Sequence, residues 1–222
     1  MTKQNAGDRR VLITVLVITI PLSLILLILL PGGPVFRVFH LPSVSMAPAL
    51  PRGSYVLASR ASYGFNQHSF DWFRLPLTRR WLATRPKRGD IVVFRLPRQQ
   101  QTFYVKRVIG LPGDSIELRG GKVILNAKHL PLKPVALPAT LKSRFPSAKQ
   151  FLERLPNGRI YRILDQDSNG PFDTLPEVVV PDGHVYVLGD NRDNSTDSRV
   201  RWGLGFIPEQ LVLGRVVWSL AL

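Results

Sequence analysis

The stretch Phe103-Tyr104-Val105-Lys106-Arg107-Val108-Ile109-Gly110-Leu111-Pro112-Gly113-Asp114 decides how this chain is read. Five of its first seven residues are aromatic or β-branched, the composition of a strand, and Gly110–Asp114 is turn chemistry. Upstream, Arg88-Gly89-Asp90 turns into a second strand at Ile91-Val92-Val93-Phe94. Downstream, Ser115–Leu118 and Lys122–Leu125 flank Gly120-Gly121, the pair expected at a two-residue hairpin turn. Residues 35–41 and Tyr55–Ala58 give two earlier strands, and His184–Leu188 and 211–218 give two later ones, the last closing the sheet. Helix signals beyond residue 30 are almost absent. The fold class is therefore mainly β.

Lys106 is out of place in its strand. Side chains 104, 106 and 108 share one face, so Tyr104 and Val108 flank the ammonium. A solvated strand lysine is one reading. A desolvated amine is the other: it could serve as a base at neutral pH after losing about 3 pKa units, roughly 4 kcal/mol.

At the N-terminal end, residues 11–30 (VLITVLVITIPLSLILLILL) carry no charge. As a helix they span roughly 30 Å, the hydrocarbon thickness of a bilayer. The run is too long for the apolar core of a cleavable signal and no small-x-small site follows it. It reads as one uncleaved transmembrane anchor. Lys3, Arg9 and Arg10 precede it, whereas Arg37 is the nearest cation after it. Positive-inside reasoning puts residues 1–10 in the cytoplasm and the body outside. The β-rich body is assigned to 35–130 and 181–222. The proline- and glycine-rich segment 131–180 is set apart as a small inserted domain or extended loops. Residues 61–84, irregular and aromatic, read as a surface loop.

Composition narrows the chemistry. The 222 residues hold no cysteine, which excludes disulfides, thiolate zinc sites and a cysteine nucleophile. Past residue 40, 26 Lys and Arg stand against 14 Asp and Glu, a net +12. The cations are scattered singly or in pairs, without a basic tract, RNA-binding aromatic motif or zinc-finger spacing. An anionic membrane surface fits this charge better than nucleic acid.

About a dozen residues past the apolar run lies Pro42-Ser43-Val44-Ser45-Met46-Ala47-Pro48-Ala49-Leu50. Serines at i and i+2 on an extended backbone project two hydroxyls to one side. A hydroxyl nucleophile needs a base. His40, His68, His129 and His184 are available, but none has a triad context and no Gly-x-Ser-x-Gly elbow occurs. His184 reads as a strand-end histidine. The segment Gly189-Asp190-Asn191-Arg192-Asp193-Asn194-Ser195-Thr196-Asp197-Ser198-Arg199 fails the calcium-loop pattern, with Arg192 and Ser195 at the third and sixth positions. Asp/Arg pairing that stiffens a loop suits it better.

Four segments, taken together and in order, resemble bacterial type I signal peptidases: Pro42–Pro48, Pro86–Phe94, Tyr104–Asp114 and Gly189–Arg199. That family comprises membrane-anchored serine proteases that remove signal peptides. The resemblance implies Ser45 as nucleophile, Lys106 as general base, and the Ser43 hydroxyl with the Ser45 N–H as oxyanion donors. It implies that Ser195 orients the lysine and that Asp197, Arg199, Asp190 and Arg192 brace the site. No metal or other cofactor is implied. Expected partners are preprotein signal peptides, small at −3 and −1, and the phospholipid membrane, with no nucleic acid and a monomeric state. The expected location is the inner membrane, single-pass, with the catalytic domain extracytoplasmic. A related Ser/Lys membrane protease maturing pilin or conjugation factors is the alternative. Ala49 departs from the family's threonine, and residues 199–204 are slightly longer than its norm.

Overall fold

The computed structural model describes residues 13–23, 35–65, 84–96, 102–167, 169–200 and 202–221. Among them, fourteen strands form three sheets. The largest runs in the order β1 (Phe36–His40), β2 (Tyr55–Ser59), β14 (Val212–Leu220), β3 (Ile91–Arg95), β4 (Phe103–Gly110), β12 (His184–Leu188), β13 (Ile207–Pro208). Every pairing in it is antiparallel. The carboxy-terminal strand joins this sheet but does not close it: β14 slots into its interior, between β2 and β3.

A second sheet joins β11 (Leu175–Val179), β5 (Ser115–Arg119), β6 (Lys122–Leu125) and β7 (Lys128–His129). Gly120 and Gly121 adopt φ of 52° and 74°, the left-handed pair that a two-residue hairpin turn demands. The turn from β6 to β7 meets the same demand without glycine. Asn126 and Ala127 have φ of 50° and 61°, and Asn126 is held by Asp114 and by the Ser115 N–H, each at 2.8 Å.

The third sheet is β10 (Ile160–Asp165), β9 (Lys149–Arg154) and β8 (Leu132–Val135), with one short helix at Ala139–Arg144. This corrects the expectation for 131–180. The segment is neither loops nor separate from the core. Leu155, Tyr161 and Ile163 enter the same buried cluster as Ile109, Ile116, Leu118, Tyr186 and Leu188. Burying each such side chain stabilises by about 1.5–3 kcal/mol, which holds the third sheet against the other two. β11, from the same segment, is hydrogen-bonded to β5.

Residues 13–23 are helical and their large apolar side chains are exposed. Thr19 and Ser23 donate their hydroxyls to the carbonyls four residues back, at 2.8 and 2.7 Å. Among the described residues no helix is long and apolar enough to cross a membrane. The rest of the expected anchor, 11–12 and 24–30, lies outside the described residues, as do 1–10 and most of the aromatic stretch 61–84. Tyr63, from the start of that stretch, is buried and donates to Asp90 at 2.8 Å.

Candidate active site

The serine stretch does not run extended. Residues 44–49 form turns, closed by Ala47 N–H to Val44 O (3.0 Å) and Leu50 N–H to Met46 O (2.8 Å). Met46 and Leu50 sink into a cluster with Val56, Val93 and Val105, and this anchors the turn beside β4. Ser43 and Ser45 still reach one cleft of about 910 Å³, bounded by 38–46, 102–106, Phe172 and 193–196.

Lys106 enters the cleft from β4. Its Nζ lies 2.5 Å from Ser45 Oγ, and the residue is only 3% exposed. Tyr104, one of its two expected flanking residues, places its ring centroid 5.9 Å from Nζ. Burial lowers the Lys106 pKa to about 8; Asp197 and Asp190 pull it up, and Arg199 pushes it down. Among the described residues no carboxylate forms an ion pair with it. A hydroxyl and a partly neutral amine in hydrogen-bond contact make a nucleophile–base pair in geometry. The Ser45 N–H donates to Ser43 Oγ at 3.1 Å, so the two expected oxyanion donors sit together.

The loop 189–199 packs against this pair. Asp197, fully buried, accepts from Arg199 Nε (2.8 Å) and Nη2 (2.9 Å) and from the Gly189 N–H (3.0 Å). Burial alone would raise its carboxyl, but the Arg199 guanidinium and these hydrogen bonds bring it below the usual carboxylate range. Asp190 and Arg192 also brace the loop, each through a partner outside it. Asp190 takes Arg107 in a two-point contact of 2.8 and 2.7 Å. Arg192 takes Glu153 of β9 at 2.5 Å. Gly189 leaves no room for a side chain: a Cβ there would stand 2.6 Å from Ser45 O and 2.5 Å from Ser195 Cβ.

Ser195 lines the cleft, and among the described residues no hydrogen bond joins its Oγ to Lys106; the hydroxyl instead helps hold the Asp197 carboxyl low. His184 lies elsewhere, its Nδ1 2.9 Å from Asp182 O. His129 is exposed on β7, and His40 stacks on Tyr55. No described histidine touches Ser45. Asp165, Asp173 and Asp193 bring carboxylate oxygens within 4.8 Å of one another. Backbone N–H groups occupy two of them: Gln166 and Asp167 donate to Asp193, and Gly170 to Asp173. The two bonds to Asp193 tie Gln166 and Asp167 to the turn at Arg192–Asn194.

The model of the family described as "Signal peptidase, peptidase S26" matches residues 12–221. The chain belongs to that family. A signal peptidase I of Rickettsia typhi (strain ATCC VR-144 / Wilmington) is 36% identical over 190 residues, 81% of this chain and 70% of the relative. One from Rickettsia massiliae (strain Mtu5) is 37% identical over 205 residues, 87% of this chain and 72% of the relative. The crystal structure of a signal peptidase I from Enterococcus faecalis V583 is 27% identical, covering 60% of this chain and 98% of that one, with a TM-score of 0.36.

As a member of the signal peptidase S26 family the protein is a serine endopeptidase of the signal peptidase I kind. Sequence reasoning missed several residues around its cleft. Asn191 and Gly189 stood inside a quoted motif but were given no task. Glu153 and Gln166 lay in the segment set aside as an insertion, where nothing in the sequence marked them.

Proposed function

We propose that the protein removes signal peptides from exported preproteins with Ser45 as nucleophile and Lys106 as base. The carrying observation is the 2.5 Å contact between Lys106 Nζ and Ser45 Oγ, at a lysine whose burial lowers its pKa to about 8. Neutral Lys106 accepts the Ser45 proton as Oγ attacks the scissile carbonyl carbon. The Ser45 N–H and the Ser43 O–H receive the oxyanion, each such donor typically contributing ~3 kcal/mol. At rest the Ser45 N–H donates to Ser43 Oγ, and the oxyanion replaces that acceptor. The Lys106 ammonium then protonates the leaving amine, and the acyl group stays on Ser45. Lys106 next deprotonates a water, whose oxygen attacks the ester carbonyl. The proton returns to Ser45 and the signal peptide leaves with a free carboxylate. Ser195, which lines the same cleft, takes the role of accepting a hydrogen bond from the ammonium once Nζ leaves Ser45.

The substrate lies extended in the cleft. β1 pairs only with β2 among the described residues, so its outer edge can take another strand. β12 meets β4 at residues 107–110, and among the described residues no strand pairs with Phe103–Lys106 on that side. Leu41, Val44, Met46 and Tyr104 crowd the walls beside Ser45, which fits small side chains at −3 and −1 and rejects large ones by overlap. The uncharged run 11–30, of which 13–23 is an exposed apolar helix, anchors the chain in the membrane, with the β-rich body outside the cytoplasm. The anchor concentrates membrane-tethered precursors at the cleft.

The test is cleavage of a secretory precursor by the detergent-solubilised full chain, with the new N-terminus sequenced. Wild type and His184→Ala should release product cut after a small residue. Ser45→Ala and Lys106→Ala should release none. Turnover by Lys106→Ala, or its loss in His184→Ala alone, would overturn the dyad.

A further inference from the structure

Asn191 is completely buried, and both hydrogen bonds that it donates go to the serine turn. Its backbone N–H donates to Ser45 O at 3.1 Å. Its Nδ2 donates to Val44 O at 3.3 Å. Those carbonyls belong to the two peptide planes on either side of the Ser45 Cα. Fixing both planes fixes the backbone angles of Ser45, because a peptide unit is rigid and only φ and ψ are soft.

The Val44–Ser45 plane matters most. In a trans peptide the C=O and N–H point in opposite directions. Holding Val44 O toward Asn191 turns the Ser45 N–H away from it, to the side where it meets Ser43 Oγ. The direction of Asn191's own amide is set in turn. Gln166 Nε2 donates to Asn191 Oδ1 at 3.0 Å, so the Nδ2 end must face Val44. Gln166 stands just past the end of β10, and that strand is tied to the same place by Leu164 N–H to Asp190 O at 2.9 Å and a parallel bridge between Leu164 and Asn191.

We infer that Asn191, oriented by Gln166, is a positioning residue that aims the Ser45 N–H at the oxyanion. The third sheet thereby reaches the reaction centre through two side-chain amides. This rests on the proposed roles of Ser45 and its N–H. It assigns to the segment 160–166 a share in transition-state stabilisation, not only in packing.

The variant that isolates the claim is Asn191→Asp. It keeps shape and the acceptor for Gln166 but sets a carboxylate oxygen, with no donor, against Val44 O. Gln166→Met, at a half-buried position, removes the amide that fixes Asn191. Both are assayed as full chain in detergent against a precursor peptide, with kcat, KM, the pH profile and thermal midpoint measured. Misaiming one oxyanion donor should lower kcat by about 30- to 100-fold in Asn191→Asp. Gln166→Met should lower it by about 3- to 10-fold, since the backbone hydrogen bond to Ser45 O survives. KM should stay within about twofold in both, and in Gln166→Met, which adds no charge, the acid limb of the pH profile should not move, because Lys106 is untouched. A kcat within about twofold of wild type in Asn191→Asp overturns the inference, as does a fall that merely tracks the unfolded fraction. If Asn191→Asp does not fold, Gln166→Met decides by the same criteria. Ser45→Ala runs beside them. Turnover by that variant would overturn the nucleophile assignment, whereas its silence with full activity in both amide variants would overturn the clamp alone.

Discussion

Lys106 and Arg107 are neighbours on one strand, point to opposite faces, and are both buried. Their surroundings treat the two charges in opposite ways. Arg107 meets Asp190 at two points, donates to Gly89 O at 3.0 Å, and stacks over Tyr161 at 4.1 Å. Burial would lower its pKa, but Asp190 raises it above its ordinary value. Lys106 has a serine hydroxyl and an aromatic ring for neighbours, with Asp197 and Asp190 acting only at a distance, and burial prevails. A compensated buried cation braces the fold, while an uncompensated one is driven toward the neutral form that can take a proton.

The comparison can be broken by substitutions at the two positions, which should have opposite signs. Arg107→Met leaves Asp190 buried without its partner, which should destabilise by about 3–5 kcal/mol. Denaturant unfolding of the full chain in detergent measures it; a loss below about 1 kcal/mol would mean that Asp190 finds another donor. Lys106→Met should stabilise. With the folded pKa at about 8 against an ordinary 10.5, the unfolded chain binds more protons between those values, so stability falls as pH drops from 10.5 to 8 and stays low beneath. Removing the amine should recover up to about 3 kcal/mol at pH 7, and little at pH 11. Equal unfolding midpoints at pH 7 would show that Lys106 is not desolvated in solution.

The smallest effect is in the pH profile of cleavage. Under the proposed dyad neutral Lys106 is the active form, so kcat/KM should level off above a midpoint near 8 and fall about tenfold per pH unit below it. A midpoint near 10 would place the lysine in solvent, and one near 6.5 would point to histidine.

Much of this site could be read before the chain was folded. Spacing and an apolar strand made Ser43, Ser45 and Lys106 candidates, and only the resemblance of four segments to a family gave them expected roles. That aspartates and arginines would pair in the 189–199 loop followed from its composition, and the resemblance singled out Asp197 and Arg199. The partners of Asp190 and Arg192 could not be read: Arg107 and Glu153 lie 83 and 39 positions away, and nothing local links them. The third sheet was missed for a related reason. β9 reads Lys-Gln-Phe-Leu-Glu-Arg, and the two residues it buries most deeply are Gln150 and Glu153. A strand that turns polar side chains inward erases the alternation by which strands are recognised. Pro176 and the bulge it accompanies hid β11 in the same way.

The sequence by itself determined the mainly β class, most strands of the large sheet, the hairpin at Gly120-Gly121, and the family, because these rest on local composition and short motifs. Only the tertiary structure decided that the serine stretch turns instead of extending, that 131–180 shares the core, and that Asn191, held by Gln166, grips the backbone on both sides of Ser45. Those outcomes depend on which distant carbonyl, carboxylate or amide satisfies each buried polar group. Burial removes water as the alternative partner, and the chain's path through space chooses the replacement.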